Sequence, residues 1–357
     1  MPVDLAIRSN IRNYTVSFED DGNFVMELAK LPLTCFVVDE NVWKIYSNTL
    51  LKRLPVEQMI ILPINEERKS LDTVQELYNQ LVELPAKRNL TMISFGGGIL
   101  QDITGFAAST IYRGINWIYI PTTLLAQADS CIGSKTSLNY HKYKNLIGTF
   151  FPPTRIYIHT PFLQSQLKAD FYSGYGEVIK LHLMGGETYF HKLLDVAPRI
   201  LAREDPALMD AIKQSLNVKL SYMSDDEFDM GHRNLLNFGH DFGHALESTS
   251  NFEIPHGQAV ILGMIAANMI AKERGILNEK LADQIAEEVL YPSLISKPKP
   301  ADLSPTALIQ AMKKDKKRTG EKLALIMMNT NFEFTRVNDL EDNEVASTLN
   351  ILAQRLN

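Results

Sequence analysis

Residues 91–112 read TMISFGGGILQDITGFAASTIY, and this stretch sets the expected fold. An apolar run, TMISF, enters three consecutive glycines, and DITGFAASTIY behind them has the composition of a helix. A strand passing through a glycine turn into a helix is the first half of a β-α-β unit. Without side chains, Gly96, Gly97 and Gly98 let backbone N–H groups and the helix N-terminus approach a pyrophosphate closely. The spacing is GGG and not GxGxxG, so on its own the run equally describes a tight turn.

The same alternation extends outward. TCFVVDENV (residues 34–42) and MIILPI (residues 59–64) are apolar runs closed by polar residues or proline, like buried parallel strands. SLDTVQELYNQLVEL follows with helical periodicity behind Ser70, a capping residue. NWIYIPTTLLAQADS adds another strand and a turn. These segments predict an α/β fold with an N-terminal doubly wound, mostly parallel, Rossmann-like sheet. From about residue 161 helices dominate. Asp205-Pro206 opens one, QAVILGMIAANMIAKERG is closed by Gly275, Ser304-Pro305 opens another, and LALIMM reads as a short strand. The expected division is an α/β domain over 1–160 and a mainly α-helical domain over 161–357.

At 357 residues the chain suits two domains, and 45% hydrophobic with 22% charged residues fits a globular protein with ample core. No apolar run is long enough to span a bilayer. The start, MPVDLAIRSNIRNY, lacks the form of a signal peptide. Cys35 and Cys131 both sit in apolar surroundings, which predicts buried thiols and a cytoplasmic setting. A net charge of -6 argues against a nucleic-acid partner. Lysines and arginines instead gather in the segments richest in site-like residues, pointing to a small polyanion.

RNLLNFGHDFGHALESTSNFEIPHG, beginning at Arg233, holds three of the eight histidines: His240, His244 and His256. The first two are four apart, one turn along one helical face. Such a pair is either structural or metal-binding. In GYGEVIKLHL, Glu177 and Lys180 share a helical face within an apolar stretch. A buried glutamate needs a partner, and a metal is one of the few that fits. Glu177 with two histidines of the 233–256 run would leave a coordination position open, as catalytic sites do. Asp39, at a strand end, is placed where an acid binds a ribose hydroxyl, although solvated strand-end acids are commoner, and Thr122 and Thr123 either serve the same cofactor or shape a turn. DSCIGSKTSLNYHKYKNLIG places Asp129, Lys135, Lys144 and Asn145 in what reads as a glycine-containing loop.

Taken together, GGGILQDITGFAAS, IYRG, PTTLLAQADS, GSKTSLN, KNLIGTFFPP, GYGEVIK, RNLLNFGHDFGHALE, PHGQAVILGM and KKDKK resemble 3-dehydroquinate synthase and the wider sugar-phosphate cyclases, over nearly the whole chain. The resemblance implies a phosphorus–oxygen lyase. Glu177, His240 and His256 would ligate a divalent metal, zinc or cobalt. NAD would lie on Gly96–Gly98, with Asp39, Asp102, Thr122 and Thr123 assisting and Glu66 and Lys69 available beside it. Lys135, Lys144 and Asn145 would hold the phosphate end and the nicotinamide neighbourhood. Asn237, His244 and Lys316 would complete the phosphate grip, while Lys180 and Asp129 would contact substrate hydroxyls. Arg113 would reach a neighbouring subunit's site, implying a homodimer. Lys219 and Arg233 would clamp a substrate carboxylate, for which an arginine fork is suited. That pair tilts the expectation toward 3-deoxy-D-arabino-heptulosonate 7-phosphate, cyclised to 3-dehydroquinate with release of phosphate, in the shikimate pathway to the aromatic amino acids.

The chain also departs from the family pattern. Ser134 gives GSK for GGK, Asp241 separates the histidines where a small hydroxyl residue is usual, and Gln258 replaces glutamate in PHGQ. Asp229 stands for a glutamate four before Arg233, and NEERKS lacks the usual glycine. Asp241 and Gln258 are expected to alter the surroundings that orient the metal ligands. These departures keep open a cyclase of secondary metabolism acting on sedoheptulose 7-phosphate or another sugar phosphate. A metal-dependent polyol dehydrogenase and a silent NAD-binding protein are further alternatives. The lysine set argues against the dehydrogenase, and the intact ligand set against the silent binder.

Overall fold

The computed structural model describes residues 4–84, 88–141, 143–314 and 322–356. The chain divides into two compact units, Met1–Gln166 and Leu167–Asn357.

In the first unit the strands are β1 (Leu5–Ile7), β2 (Tyr14–Phe18), β3 (Thr34–Asp39), β4 (Met59–Leu62), β5 (Thr91–Gly96), β6 (Asn116–Pro121), β7 (Lys135–Tyr140), β8 (Tyr143–Phe150) and β9 (Arg155–Ile158). Its helices are α1 (Asn23–Leu28), α2 (Glu40–Tyr46), α3 (Leu71–Glu83) and α4 (Gly98–Thr110). Seven strands form one sheet in the order β1-β2-β9-β6-β5-β3-β4. Every pairing in it is parallel except β1 with β2. The sheet is therefore the mostly parallel one expected, flanked by helices that bury its faces. Phe36, Val38, Ile93, Phe95, Ile118 and Ile120 pack with Phe24 and Leu28 of α1 into one apolar cluster.

Local chemistry sets the element ends, with Ser70 in the capping role read from the sequence and Asp39 in one that was not. Ser70 accepts a hydrogen bond from the Thr73 N–H at the start of α3, and Asp39 accepts from the Asn41 N–H at the start of α2. β5 ends at Gly96, and α4 begins at Gly98 with Gly97 as its cap and no side chain capping it. A Cβ on Gly96 would lie 2.6 Å from the Leu100 side chain, so the sharp entry into α4 needs a residue without one.

Residues 129–148 correct the expectation of a loop. Ala126–Ser130 forms a π-helical turn, and β7 and β8 then pair as an antiparallel ribbon. At the corner Ser134 holds φ at +64°, the left-handed region that favours glycine. Tyr112 and Arg113, at +51° and +64°, do the same just before Gly114 at +111°.

The second unit holds α5 (Lys168–Met184), α6 (Glu187–Leu201), α7 (Asp205–Met223), α8 (His240–Thr249), α9 (His256–Glu273), α10 (Glu279–Ile285), α11 (Pro305–Lys313), β10 (Leu323–Met328), β11 (Phe334–Leu340) and α12 (Asp342–Leu356). LALIMM is the strand read from the sequence, and Gly275 takes φ +69° after α9. Asp205 is itself the first helical residue of α7, one position earlier than its reading as a cap implies. Among the described residues, no helix is long and apolar enough to cross a membrane. Cys35 and Cys131 are buried free thiols.

Candidate active site

In the helical unit the candidate metal ligands meet because glycines let three helices touch. A Cβ on Gly176 of α5 would lie 2.3 Å from the Gly257 carbonyl oxygen, and one on Gly257 would lie 1.7 Å from the Ser173 carbonyl oxygen. The Gly257 N–H also donates to Ser173 Oγ at 2.9 Å. This contact sets Glu177, the next residue of α5, against His256 at the start of α9. Gly239 and Gly263 bring α8 and α9 together in the same way: a Cβ on Gly263 would lie 1.9 Å from the Gly239 carbonyl oxygen. Gly239 takes φ +78°, which turns the chain into α8 at His240.

The donor atoms converge. Glu177 Oε1 lies 3.4 Å from His240 Nε2 and 3.2 Å from His256 Nε2, and one ligand atom from each of the three residues fits within 4.8 Å of the others. Lys180 Nζ sits 2.5 Å from the other oxygen, Oε2, and neither lysine nor glutamate reaches solvent appreciably. Glu177 is thus a buried anion with Oε2 on Lys180 and Oε1 facing two imidazole nitrogens. His240 Nδ1 is 3.1 Å from the Phe238 carbonyl oxygen, so its Nε2 faces the carboxylate. His256 Nδ1 is 3.2 Å from Glu247 Oε2. Burial alone would raise the Glu177 pKa, but Lys180 and His256 outweigh it and hold the carboxyl ionised far below its ordinary value. Burial, then Lys180 and the neighbouring imidazoles, keep His240 neutral. Burial opposes a charge on His256, yet its bonds to Glu177 and Glu247 push its pKa up to about 10. A carboxylate and two imidazoles, one of them held protonated only by flanking acids, form a donor set that a divalent cation fits.

Other predicted residues lie in the same unit, and His244 adjoins this set. His244 lies on α8 with its ring centroid 5.3 Å from that of His240 and 6.3 Å from that of His256. Lys219 on α7 and Arg233 are both buried. Asp226 shapes the turn before Arg233 by accepting from the N–H groups of Met230 and Gly231 at 2.7 Å and of Arg233 at 3.0 Å. Those bonds, led by that from Met230, lower its pKa. The Arg233 guanidinium donates to the Glu227 carbonyl, and Asn237 Nδ2 donates to the Asn234 carbonyl at 2.7 Å. Asp229 takes φ +59° within the same turn. Lys316 lies outside the described residues.

In the sheet unit a second polar network forms where α4 meets the β7–β8 ribbon. Asp102 accepts from the Ser137 N–H at 2.9 Å and from Ser137 Oγ at 3.0 Å, and Lys69 Nζ lies 2.6 Å from Asp102 Oδ2. Asn145 Oδ1 accepts from Lys69 Nζ at 2.6 Å and from Ser137 Oγ at 3.0 Å. Burial raises the Asp102 pKa, with Lys69 and Ser137 opposing it. Asn139 Nδ2 donates to Glu66 Oε1 at 2.8 Å, and Lys144 Nζ lies 3.7 Å from the same oxygen. Five candidates thus join one network: Glu66, Lys69, Asp102, Lys144 and Asn145; Lys135 opens β7, and Asp129 lies in the π-helical turn before it. Asp39 caps α2 at the carboxyl end of β3, and burial raises its pKa. The Thr122 N–H donates to the Gly96 carbonyl at 3.0 Å, and Thr123 Oγ1 accepts from the Ala126 N–H at 3.3 Å, so both shape the turn after β6. Arg113 is exposed.

Two groups were missed from the sequence. Ser137 and Asn139 alternate along β7, a pattern invisible while the segment read as a loop. Glu247 follows His240 by seven residues, two helical turns on the same face, and that spacing was the available signal.

The expected surroundings of the metal ligands need one correction. Gln258, buried next to this site in sequence, bonds to backbone: Nε2 to the carbonyls of Tyr172 and Ser293, Oε1 to the N–H groups of Ile295 and Ser296. Its contacts are with the framework and not with a ligand side chain. Asp241 Oδ2 accepts from the Ile326 N–H at 3.2 Å, tying α8 to β10.

The family model for the N-terminal part of 3-dehydroquinate synthase matches residues 59–173, and that for its C-terminal part matches residues 174–318. The chain belongs to the 3-dehydroquinate synthase family. A 3-dehydroquinate synthase of Acidithiobacillus ferrooxidans is 38% identical over 333 residues, covering 91% of this chain and 90% of that protein. That of Pelagibacter ubique is 38% identical over 299 residues, covering 82% and 81%. The protein is accordingly a lyase of this type. Among solved structures, 2-epi-5-epi-valiolone synthase from Streptomyces hygroscopicus subsp. jinggangensis, with NAD+ and Zn2+ bound, superimposes with a TM-score of 0.84 at 22% identity, covering 98% of this chain and 99% of that one. A 2-deoxy-scyllo-inosose synthase complexed with carbaglucose-6-phosphate, NAD+ and Co2+ gives 0.80 at 21% identity, covering 97% and 99%. These likenesses confirm the fold: a mostly parallel α/β unit followed by a helical one.

Proposed function

We propose that the protein converts 3-deoxy-D-arabino-heptulosonate 7-phosphate to 3-dehydroquinate and phosphate, with a catalytic NAD and a divalent zinc or cobalt ion. The observation that carries the substrate choice is the pair of buried cations, Lys219 and Arg233, in the unit that also holds Glu177, His240 and His256. A guanidinium fork matches a carboxylate in geometry, and a lysine supplies a second cation suited to the same group. A ketose phosphate without an acid group offers no carboxylate to bind.

The metal supplies Lewis acidity toward substrate oxygens when bound, and NAD supplies a reversible hydride acceptor. Glu177, His240 and His256 would hold the ion. Lys180 fixes Glu177 through Oε2, so Oε1 remains directed at the two imidazoles. Gly96–Gly98 and the start of α4, which no side chain caps, would receive the pyrophosphate, because the first N–H groups of a helix have no intrahelical partner. Lys69, Asp102, Ser137 and Asn145 fix the β7–β8 ribbon that carries Lys135 and Lys144, and those lysines would neutralise phosphate charge. Asn237 and His244 would bond to phosphate oxygens, and Lys180 and Asp129 to substrate hydroxyls. Arg113, exposed on a strained turn, would act in a partner protomer's site in a homodimer.

Arg233→Gln tests the reading. A charge-assisted bond to a carboxylate contributes about 1.5–3 kcal/mol, so kcat/KM for the acidic substrate should fall about 10- to 150-fold. Equal loss on the acid and on sedoheptulose 7-phosphate would remove the basis for the substrate choice. Net NADH formation from a polyol would favour the dehydrogenase reading instead.

A further inference from the structure

The two imidazoles that face Glu177 are held from behind by different groups. His240 Nδ1 meets a neutral partner, the Phe238 carbonyl oxygen, at 3.1 Å. His256 Nδ1 meets a carboxylate oxygen, Glu247 Oε2, at 3.2 Å, while its Nε2 lies 3.2 Å from Glu177 Oε1. Glu247 is buried on α8 and projects from the same face as His240 and His244, seven and three residues before it. It also belongs to a second set, His244, Glu247 and His256, whose donor atoms lie within 4.8 Å of one another.

We infer that Glu247 is a positioning residue for the metal site: it accepts the Nδ1–H of His256 and so fixes that ring with Nε2 toward the ion. The inference rests on the reading that Glu177, His240 and His256 hold the metal. An imidazole free to rotate presents either nitrogen, and only one orientation of His256 places Nε2 beside Glu177. A carboxylate behind the ring selects that orientation and makes the imidazole a stronger donor, which the carbonyl behind His240 does less well. Because Glu247 and His240 share one rigid helix, the same element delivers one ligand directly and orients the other. The competing use of the second set, a separate ion held by His244, Glu247 and His256, would require His256 to donate through Nδ1.

The test is metal binding to the full-length apoprotein, by competition between the protein and a chromophoric chelator for Zn2+ and Co2+. Absorption of the Co2+ form reports ligand geometry, and thermal unfolding of each apoprotein reports folding. Glu247→Gln should keep one ion per chain, weaken affinity about 10- to 100-fold and shift the Co2+ bands, with unfolding close to wild type. Glu247→Asp should recover part of the affinity that Glu247→Ala loses. His240→Ala and Glu177→Gln are controls for the underlying reading and should abolish stoichiometric binding. If those controls abolish binding but Glu247→Gln leaves affinity and spectrum unchanged, the inference falls and the metal reading stands. If the controls bind as wild type does, the metal reading itself falls. Two ions per wild-type chain, reduced to one by Glu247→Ala, would make Glu247 a ligand and overturn its positioning role.

Discussion

Replacing Gln258 by glutamate, the residue the family pattern leads one to expect in PHGQ, should destabilise this protein. Gln258 is fully buried, and its amide makes four bonds to backbone. Nε2 donates to the Tyr172 carbonyl at 3.3 Å and the Ser293 carbonyl at 3.1 Å, and Oε1 accepts from the N–H groups of Ile295 at 2.8 Å and Ser296 at 3.2 Å. A carboxylate keeps the accepting half and loses the donating half. Two buried carbonyls then lack donors at roughly 1–3 kcal/mol each, or about 2–6 kcal/mol together, and an anion faces their negative ends. A protonated carboxyl restores one donor. Burial raises the folded-state pKa of such a glutamate above its unfolded value, so the folded variant binds more protons and its deficit grows as pH rises. Urea denaturation of Gln258→Glu and wild type should therefore show a difference of about 2–6 kcal/mol at pH 7.5 that shrinks by roughly half at pH 5. An unchanged midpoint at pH 7.5, or a deficit that widens on acidification, would refute the reasoning.

Two further outcomes follow from the helical unit. Gly257→Ala puts a methyl group 1.7 Å from the Ser173 carbonyl oxygen, so α5 and α9 must separate; stability should fall by about 3 kcal/mol and Zn2+ affinity by more than about 100-fold, measured by urea titration and chelator competition. His182 is buried on α5 with Nδ1 2.8 Å from the Val178 carbonyl oxygen, and burial lowers its pKa from 6.5 to about 4. The unfolded chain takes up that proton first, so its contribution is complete above pH 6.5 and about 3 kcal/mol is lost as pH falls toward 4. His182→Gln should flatten the pH dependence of the urea midpoint across that window relative to wild type, and an identical profile would exclude His182 as its source.

The parts of the fold legible in the sequence were those whose burial is one-sided or complete over a short run. β3 and β5 are buried along nearly their whole length and read as parallel strands, and α3 shows a clean apolar stripe behind the Ser70 cap. The β7–β8 ribbon was hidden because β8 has no buried residue, so no hydrophobic alternation marks it. In the site, Glu177 stood out because an acid inside GYGEVIKLHL contradicts its apolar surroundings. Glu247 did not, because ALEST reads as an ordinary helix end with a solvated acid; only the assembled site shows His256 beside it. The bonding of Gln258 was likewise illegible, since its partners Ser293, Ile295 and Ser296 are more than thirty residues away.

The central claim is tested most directly by phosphate release from 3-deoxy-D-arabino-heptulosonate 7-phosphate, with NAD and with zinc or cobalt, before and after chelation. The account predicts metal-dependent release of phosphate with formation of 3-dehydroquinate and no net NADH, lost on chelation and restored by either ion. No release from that acid, together with turnover of sedoheptulose 7-phosphate under the same conditions, would contradict it and assign Lys219 and Arg233 some other role.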